Sequence, residues 1–393
     1  MTNSSLNVMR AVAALMVVVV HVRGFLLIPL AETNGGVINN VMYVATSLGN
    51  GAVMVFFVLS GYFVGGSVIR QRMRGSFRWS EYLIARGTRL WVVLIPALFL
   101  TFALDMLGRV LYPGSPSYDA ASRALVQGDP FTFLGNALFL QAWVVEPFGS
   151  NGPLWSLAFE WTYYLLFPLL VIGIFRRNAS WKGRTAAAIL GVLVGVLAGP
   201  VALILFGAWL LGALVAWQSP RLSAVIASVS SPLLQVARVG AVLVTLLAMV
   251  LDRAQGGGSG YVAVGTILCA ICAAALVVLF INDVHPQTRP ARAALGFVDR
   301  NLAESSYSLY AYHMPVLLLI ATAITSTGPT NRFEPNLLGW SLVIGITLAL
   351  ALGGWCFAQL TEHHYHSIRG RLLAPLRAQR PASASANADH QAA

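Results

Sequence analysis

The chain has 393 residues, 57% hydrophobic and 10% charged, with a mean hydropathy of +0.73. A soluble domain carries about 25% charged residues, so the composition excludes a soluble globular protein and leaves room for roughly ten membrane crossings of about 20 apolar residues each. The formal charge of +11 comes from 25 basic and 14 acidic residues, and every basic residue except Lys182 is an arginine. Set between apolar runs, these arginines read as membrane-flanking loops rather than as a nucleic-acid surface.

In chain order, apolar stretches with flanking charge predict helices near 8–30, 48–68, 90–107, 153–175, 185–199, 200–218, 238–251, 262–282, 304–323 and 338–358. The first is expected to remain in the protein, because the run after Arg10 is long and has no small-residue cleavage site. Only Gly199-Pro200 separates the fifth helix from the sixth. With ten crossings and a cytoplasmic N-terminus, 20 of the 25 basic residues fall on the cytoplasmic side, leaving Arg23, Arg109, Arg123, Arg253 and Arg332 outside. The fold class is therefore an all-α polytopic membrane protein with both termini cytoplasmic. The expected organisation is a membrane domain over residues 1–366 and a cytoplasmic, largely disordered tail over 367–393.

The longest connection runs from about 108 to 152. Its Phe131–Val145 part is apolar but too short to span, which suggests a re-entrant or interfacial piece over a cavity. The glycine-rich stretch 252–260 is a flexible connector. Cys269, Cys272 and Cys356 lie in apolar runs and read as small hydrophobes of membrane helices, not as disulfide or metal ligands.

Ionisable groups inside membrane spans are costly and mark functional sites. Arg10 and His21 are eleven residues apart, within about 20° of three full helical turns, so they share a face at an axial separation of about 16 Å. From spacing alone, Arg10 also fits an arginine reaching for headgroups, and His21 a histidine satisfied by a neighbouring helix. Six arginines lie between Arg70 and Arg89. Arg86 and Arg89, three apart, can clamp a phosphate together or simply anchor the chain to anionic lipid.

The fourth helix places Glu160 about two turns in, with Ser156 on the same face. Its Trp155, Trp161, Tyr163 and Tyr164 suit either a membrane interface or stacking against sugar rings. The ninth helix carries Ser305, Ser306, Tyr307 and Ser308, then His313 two residues before Pro315, where a kink frees backbone carbonyls. The run Glu362-His363-His364-Tyr365-His366 contains ligand-type residues, but at a membrane edge it is not read as a metal site.

These patches together resemble the acyltransferase 3 family of integral membrane acyltransferases. The likeness is carried by Leu6–Arg10 through His21, Val55–Phe63, Arg86-Gly-Thr-Arg89, Trp155–Pro168, and Ser306–Tyr310 with His313 and Pro315, and it covers residues 6–366. It implies transfer of an acyl group, usually acetyl from acetyl-CoA, to a hydroxyl of a carbohydrate, often in the cell envelope or an exported polysaccharide. The family's Arg-x10-His falls on Arg10 and His21, and its Arg-x-x-Arg on Arg86 and Arg89. The frequent acidic pair of the fourth helix is here Glu160 followed by Trp161, and no proline closely follows Glu362.

The resulting expectation has His21, Arg10 and Glu160 as the catalytic group. Arg86, Arg89 and Arg10 hold the acyl-CoA phosphates, and Trp155, Tyr164, Tyr307 and His313 line the acceptor. His21 serves as general base or forms an acyl-histidine intermediate. No tightly bound cofactor, metal or nucleic acid is expected, and the setting is a bacterial-type inner (plasma) membrane. The acceptor is a polysaccharide, a lipid-linked sugar or a small glycoside. A transporter or flippase of polar or lipid-linked sugars is the rival class. It explains His21 but not the arginine pair at clamp spacing.

Overall fold

The computed structural model describes residues 3–33, 35–118, 128–141, 143–175, 181–254, 264–282, 292–293, 296–325 and 332–378. Among these the chain is helical, with one isolated bridge between Leu27 and Phe333. The helices are α1 Ser4–Leu26, α2 Val37–Ala45, α3 Gly49–Ser60, α4 Gly66–Met73, α5 Trp79–Leu111, α6 Pro130–Ala137 and α7 Trp155–Phe175. They continue as α8 Trp181–Ser228, α9 Ser231–Ala254, α10 Val264–Leu279, α11 Ser306–Thr325, α12 Leu337–Leu360 and α13 Tyr365–Ala378.

Among the described residues, eight helical segments are long and apolar enough to cross a membrane. One of them, α8, is two spans: Gly199 breaks it at φ 80°, ψ 171°, and Pro200 follows with no N–H to donate. The shorter apolar helix α10 lies where the sequence places its eighth crossing. Long exposed apolar side chains such as Leu243, Leu247 and Ile271 are what a lipid-facing surface requires.

The helices that carry the site are held close by small residues. A Cβ on Gly61 would lie 1.8 Å from the Trp209 carbonyl oxygen, and one on Gly212 would lie 1.9 Å from that of Val58. The backbones of α3 and α8 therefore touch, which only glycine permits. Directly after α3 the chain makes one π-helical stretch, Gly61–Gly65, before α4. Such bulges turn a neighbouring side chain off the regular helical register.

A second π-helical stretch, Val298–Ala303, precedes α11. Helices α1 and α11 run parallel: Arg10 bonds to Ala303 and His21 to His313, so the pairing advances in the same direction along both. The first and ninth of alternating spans must have this relation.

The 131–145 stretch folds back as expected. Helix α6 is capped by Asp129, whose side chain accepts from Phe131 N and Thr132 N at 2.8 and 3.0 Å. Trp91 on α5 donates to the Ala137 carbonyl at 2.7 Å, and Phe139 stacks with both Trp91 and Trp161. Trp91 lies about 30 Å along α5 from Leu111, so the segment dips well back along the bundle before α7 begins.

At the other end of the chain, α13 extends past residue 366 to Ala378 and packs on α5, with Tyr365 donating to the Ala85 carbonyl at 3.3 Å. The rest of the expected tail and the connector from residue 255 lie outside the described residues.

Candidate functional site

Two polar stations lie along α1. At the first, half-buried Arg10 donates from Nη2 to the Ala303 carbonyl at 2.6 Å, where the π-helical stretch ends; Ser306 Oγ donates to the same oxygen at 2.8 Å. Arg89 Nη2 lies 3.6 Å from Glu362 Oε1, and Ser308 donates to Glu362 Oε2 at 3.0 Å. Arg10 and Arg89 stand in each other's field, with Glu362 facing both. Arg86 lies over the Tyr82 ring and Arg89 over Tyr365, at 5.8 and 5.7 Å to the ring centroids. The Nε atoms of Arg10 and Arg86 are buried with no hydrogen-bond partner. Two guanidinium groups, Arg10 and Arg89, are thus gathered at one end of the bundle around Glu362, with Arg86 one turn before Arg89 on α5.

The second station is the pair His21 and His313. His21 Nδ1 is 3.0 Å from His313 Nε2, and the rings stack at 5.2 Å between centroids. His313 Nδ1 is 2.8 Å from the Tyr310 carbonyl oxygen and 3.2 Å from that of Leu309. Carbonyl oxygens only accept, so in the neutral ring the proton of His313 sits on Nδ1 and its Nε2 carries the lone pair. His21 must then donate from Nδ1, which leaves its Nε2 with an unshared pair.

His21 Nε2 has no hydrogen-bond partner among the described residues, and the ring is partly exposed, whereas His313 is fully buried. The arrangement therefore sorts the two histidines. His21 presents a proton acceptor, and His313, expected to touch substrate, reaches one only through His21.

Helix α11 runs unbroken through Pro315, and the carbonyl that the proline frees is met by a side chain from outside the helix. The proline has no N–H for the Ala311 carbonyl, and Asn151 Nδ2 supplies the missing bond at 2.7 Å. Asn151 is completely buried and also reaches Thr101 Oγ1 at 3.2 Å.

Between the stations runs a wall of buried hydroxyls. Glu160 accepts from Ser60 at 2.8 Å and Tyr164 at 2.5 Å, and Trp209 Nε1 donates to Ser60 Oγ at 3.1 Å. Ser60 is the last residue of α3 before the π-helical stretch, which is how it reaches α7 and α8 together. Tyr310 donates to the Pro153 carbonyl at 2.8 Å and lies 2.7 Å from Ser156 Oγ.

Of the expected acceptor residues, Tyr164 and Tyr307 are in this wall with their hydroxyls engaged, Tyr307 on the Leu90 carbonyl at 3.0 Å. Trp155 is exposed at the start of α7 and packs edge-on against Phe159, apart from the histidine pair. Glu160 faces the arginines but makes no ion pair among the described residues.

Sequence reasoning passed over Ser60, Asn151, Ser308 as a carboxylate partner, and Glu362 as the counter-ion of Arg89. Glu362 stood in a run dominated by histidines, yet it turns inward while His363, His364 and His366 are exposed. For Ser60, the available signal was its place in the Val55–Phe63 stretch just before Gly61.

Comparison with known proteins gives the family. The acyltransferase 3 family description, "Acyltransferase domain", matches residues 3–356, which include both histidines and all three arginines but not Glu362. The chain is 31% identical over 150 residues to acyltransferase MdmB of Streptomyces mycarofaciens, covering 36% of this chain and 34% of that protein. The likeness thus spans about a third of the relative's length. No solved structure matches. With a family match over nearly the whole chain and a bundle of helices long and apolar enough to cross a membrane, the chain belongs to the acyltransferase 3 family.

Proposed function

We propose that the protein transfers an acyl group, acetyl in the first instance, from acyl-CoA to a hydroxyl of a carbohydrate acceptor, with His21 Nε2 as the general base. The observation that carries this reading is the fixed tautomer of the His21–His313 pair. A neutral imidazole whose Nδ1 proton is committed to a buried acceptor holds its Nε2 ready for a substrate hydroxyl.

The donor's phosphates sit at Arg10, Arg86 and Arg89, where planar guanidinium groups match phosphate oxygens. The pantetheine arm then covers the roughly 16 Å along α1 to His21. The acceptor hydroxyl gives its proton to His21 Nε2 as its oxygen attacks the thioester carbon. The tetrahedral adduct collapses with loss of the C–S bond, and the imidazolium returns the proton to the sulfur. Throughout, His21 Nδ1–H stays on His313 Nε2, so the charged ring keeps its orientation. The thioester is already activated, so positioning and a base account for most of what the protein must supply.

In this reading the arginine-rich end faces the cytoplasm, where acyl-CoA is found, and the membrane is a bacterial-type inner membrane. The acceptor belongs to envelope or exported carbohydrate, or to a smaller glycoside.

Purified protein in detergent is expected to release coenzyme A from acetyl-CoA faster when a carbohydrate acceptor is added. Rapid quenching before acceptor addition is expected to trap no acyl-protein. An acyl group recovered on His21 would replace the base mechanism with a covalent relay, and coenzyme A release unaffected by any carbohydrate would overturn the acceptor class.

A further inference from the structure

Three of the five arginines counted outside the basic side of the topology converge on one cavity. It has a volume of about 410 Å³ and lies at the end of α1 opposite Arg10. Arg23 comes from the last turn of α1, Arg253 from the last turn of α9, and Arg332 from the segment before α12. The fold builds this convergence deliberately in its backbone: Phe333 N donates to the Leu26 carbonyl at 2.7 Å and Ile28 N to that of Phe333 at 3.1 Å, which fastens the segment carrying Arg332 to the end of α1. Arg23 is fixed over the Tyr43 ring at 4.9 Å, and Tyr43 is itself tied by its hydroxyl to the Ile28 carbonyl.

None of the three forms an ion pair among the described residues. The Nε atoms of Arg23 and Arg332 are buried without a hydrogen-bond partner. Glu32 and Glu334 lie on adjoining segments, but both are exposed. Asp252, buried next to Arg253, accepts from Thr266 and pairs with none of the three; three like charges drawn together with no ion-pair partner among the described residues repel one another, and an anion relieves that repulsion.

The remainder of the wall is largely apolar, with Leu27, Ile28, Leu48 and Val250 among the lining. Gly24 also lines it, and a Cβ there would meet nothing within 4 Å, so the helix opens onto free space at that point.

We infer that this cavity binds the phosphate group of an amphiphile, the guanidinium groups taking the phosphate oxygens and the apolar wall the adjoining chain. Gly24 is about one helical turn beyond His21 on α1, so the cavity opens one turn from the base without being lined by it. That the bound amphiphile is the acceptor or the acceptor's lipid carrier rests on the acyl-transfer reading; the phosphate site itself does not.

Equilibrium binding of radiolabelled dodecyl phosphate to the full-length protein in dodecyl maltoside tests the site directly, since the neutral detergent offers the same chain without the phosphate. Saturable binding is expected, weakened about tenfold or more by the double substitution Arg253→Gln and Arg332→Gln. The matching double lysine variant should retain part of the affinity. Gly24→Leu keeps every charge but fills the opening, and is expected to reduce dodecyl phosphate binding. Retained acetyl-CoA binding at the opposite end reports that each variant is folded.

Labelled inorganic phosphate and phosphatidylglycerol separate the sources. Competition by phosphatidylglycerol assigns the site to a lipid phosphate. Inorganic phosphate binding as tightly as dodecyl phosphate overturns the amphiphile and leaves a free-phosphate site. Equal dodecyl phosphate binding by the parent and the double glutamine variant overturns the proposal, whatever becomes of acyl transfer.

Discussion

The two ends of α1 each carry an arginine and treat it differently. Arg10 is tied to the Ala303 carbonyl and shares its surroundings with Arg89 and Glu362. Arg23, thirteen residues on, rests on the Tyr43 ring beside two further arginines, with no ion pair among the described residues. Arginine inside a membrane protein is therefore not one kind of signal. Where a carboxylate and carbonyls orient the guanidinium groups, the site is organised before its ligand arrives. Where they do not, the charge remains available to an anion. Between these ends the histidine pair follows the first pattern, because both of its ring protons are already committed and only the His21 Nε2 lone pair is left free.

The largest expected effect comes from breaking that pair. His21→Ala should lower acyl transfer by about 10²- to 10⁴-fold, the usual worth of a general base, while acetyl-CoA binding and insertion persist. His313→Ala should cost less, about 10- to 100-fold, as for other partners that orient an imidazole. Its marker is the rescue pattern: His313→Gln, whose amide oxygen can accept from His21 Nδ1, should recover part of the rate and of the pH profile. A His313→Ala enzyme with the parental rate and pH profile would show that the tautomer is set elsewhere.

A smaller effect is expected at the arginine end. Arg89→Lys keeps the charge but loses the planar fork, so the Kd for acetyl-CoA should rise about tenfold. Glu362→Gln removes the counter-ion, and should change donor binding while leaving the turnover of bound donor nearly unchanged. If Arg89→Ala binds acetyl-CoA as tightly as the parent, this end is a lipid anchor and the contrast between the two ends disappears.

The smallest effect lies away from both. The side-chain and backbone hydrogen bonds from Thr132 hold the Asp129 carboxyl below the usual carboxylate range. A depressed pKa contributes stability above the unfolded value and loses it as pH falls through the folded one. The cap of α6 should therefore loosen only in acid. Asp129→Ala should cost about 1 kcal/mol and abolish that acid dependence, which hydrogen exchange over 130–137 would read.

Much of this was legible in the sequence, for reasons particular residues make plain. The membrane-length helices follow from apolar length, and even the division at Gly199 was marked by Gly-Pro. Arg10 and His21 lie on one helix, so helical geometry alone relates them. The same holds for Arg86 and Arg89, and for the carbonyl freed before Pro315.

The tertiary structure decided everything that joins separate helices. Glu362 meets Arg89 across 273 residues of chain, and Ser60 meets Glu160 across 100. No local period encodes such contacts. Which histidine keeps a free lone pair is of the same kind: His21 and His313 are equally titratable as residues. Only the 3.0 Å contact between them, and the carbonyls that hold the proton of His313, leave the free lone pair on His21.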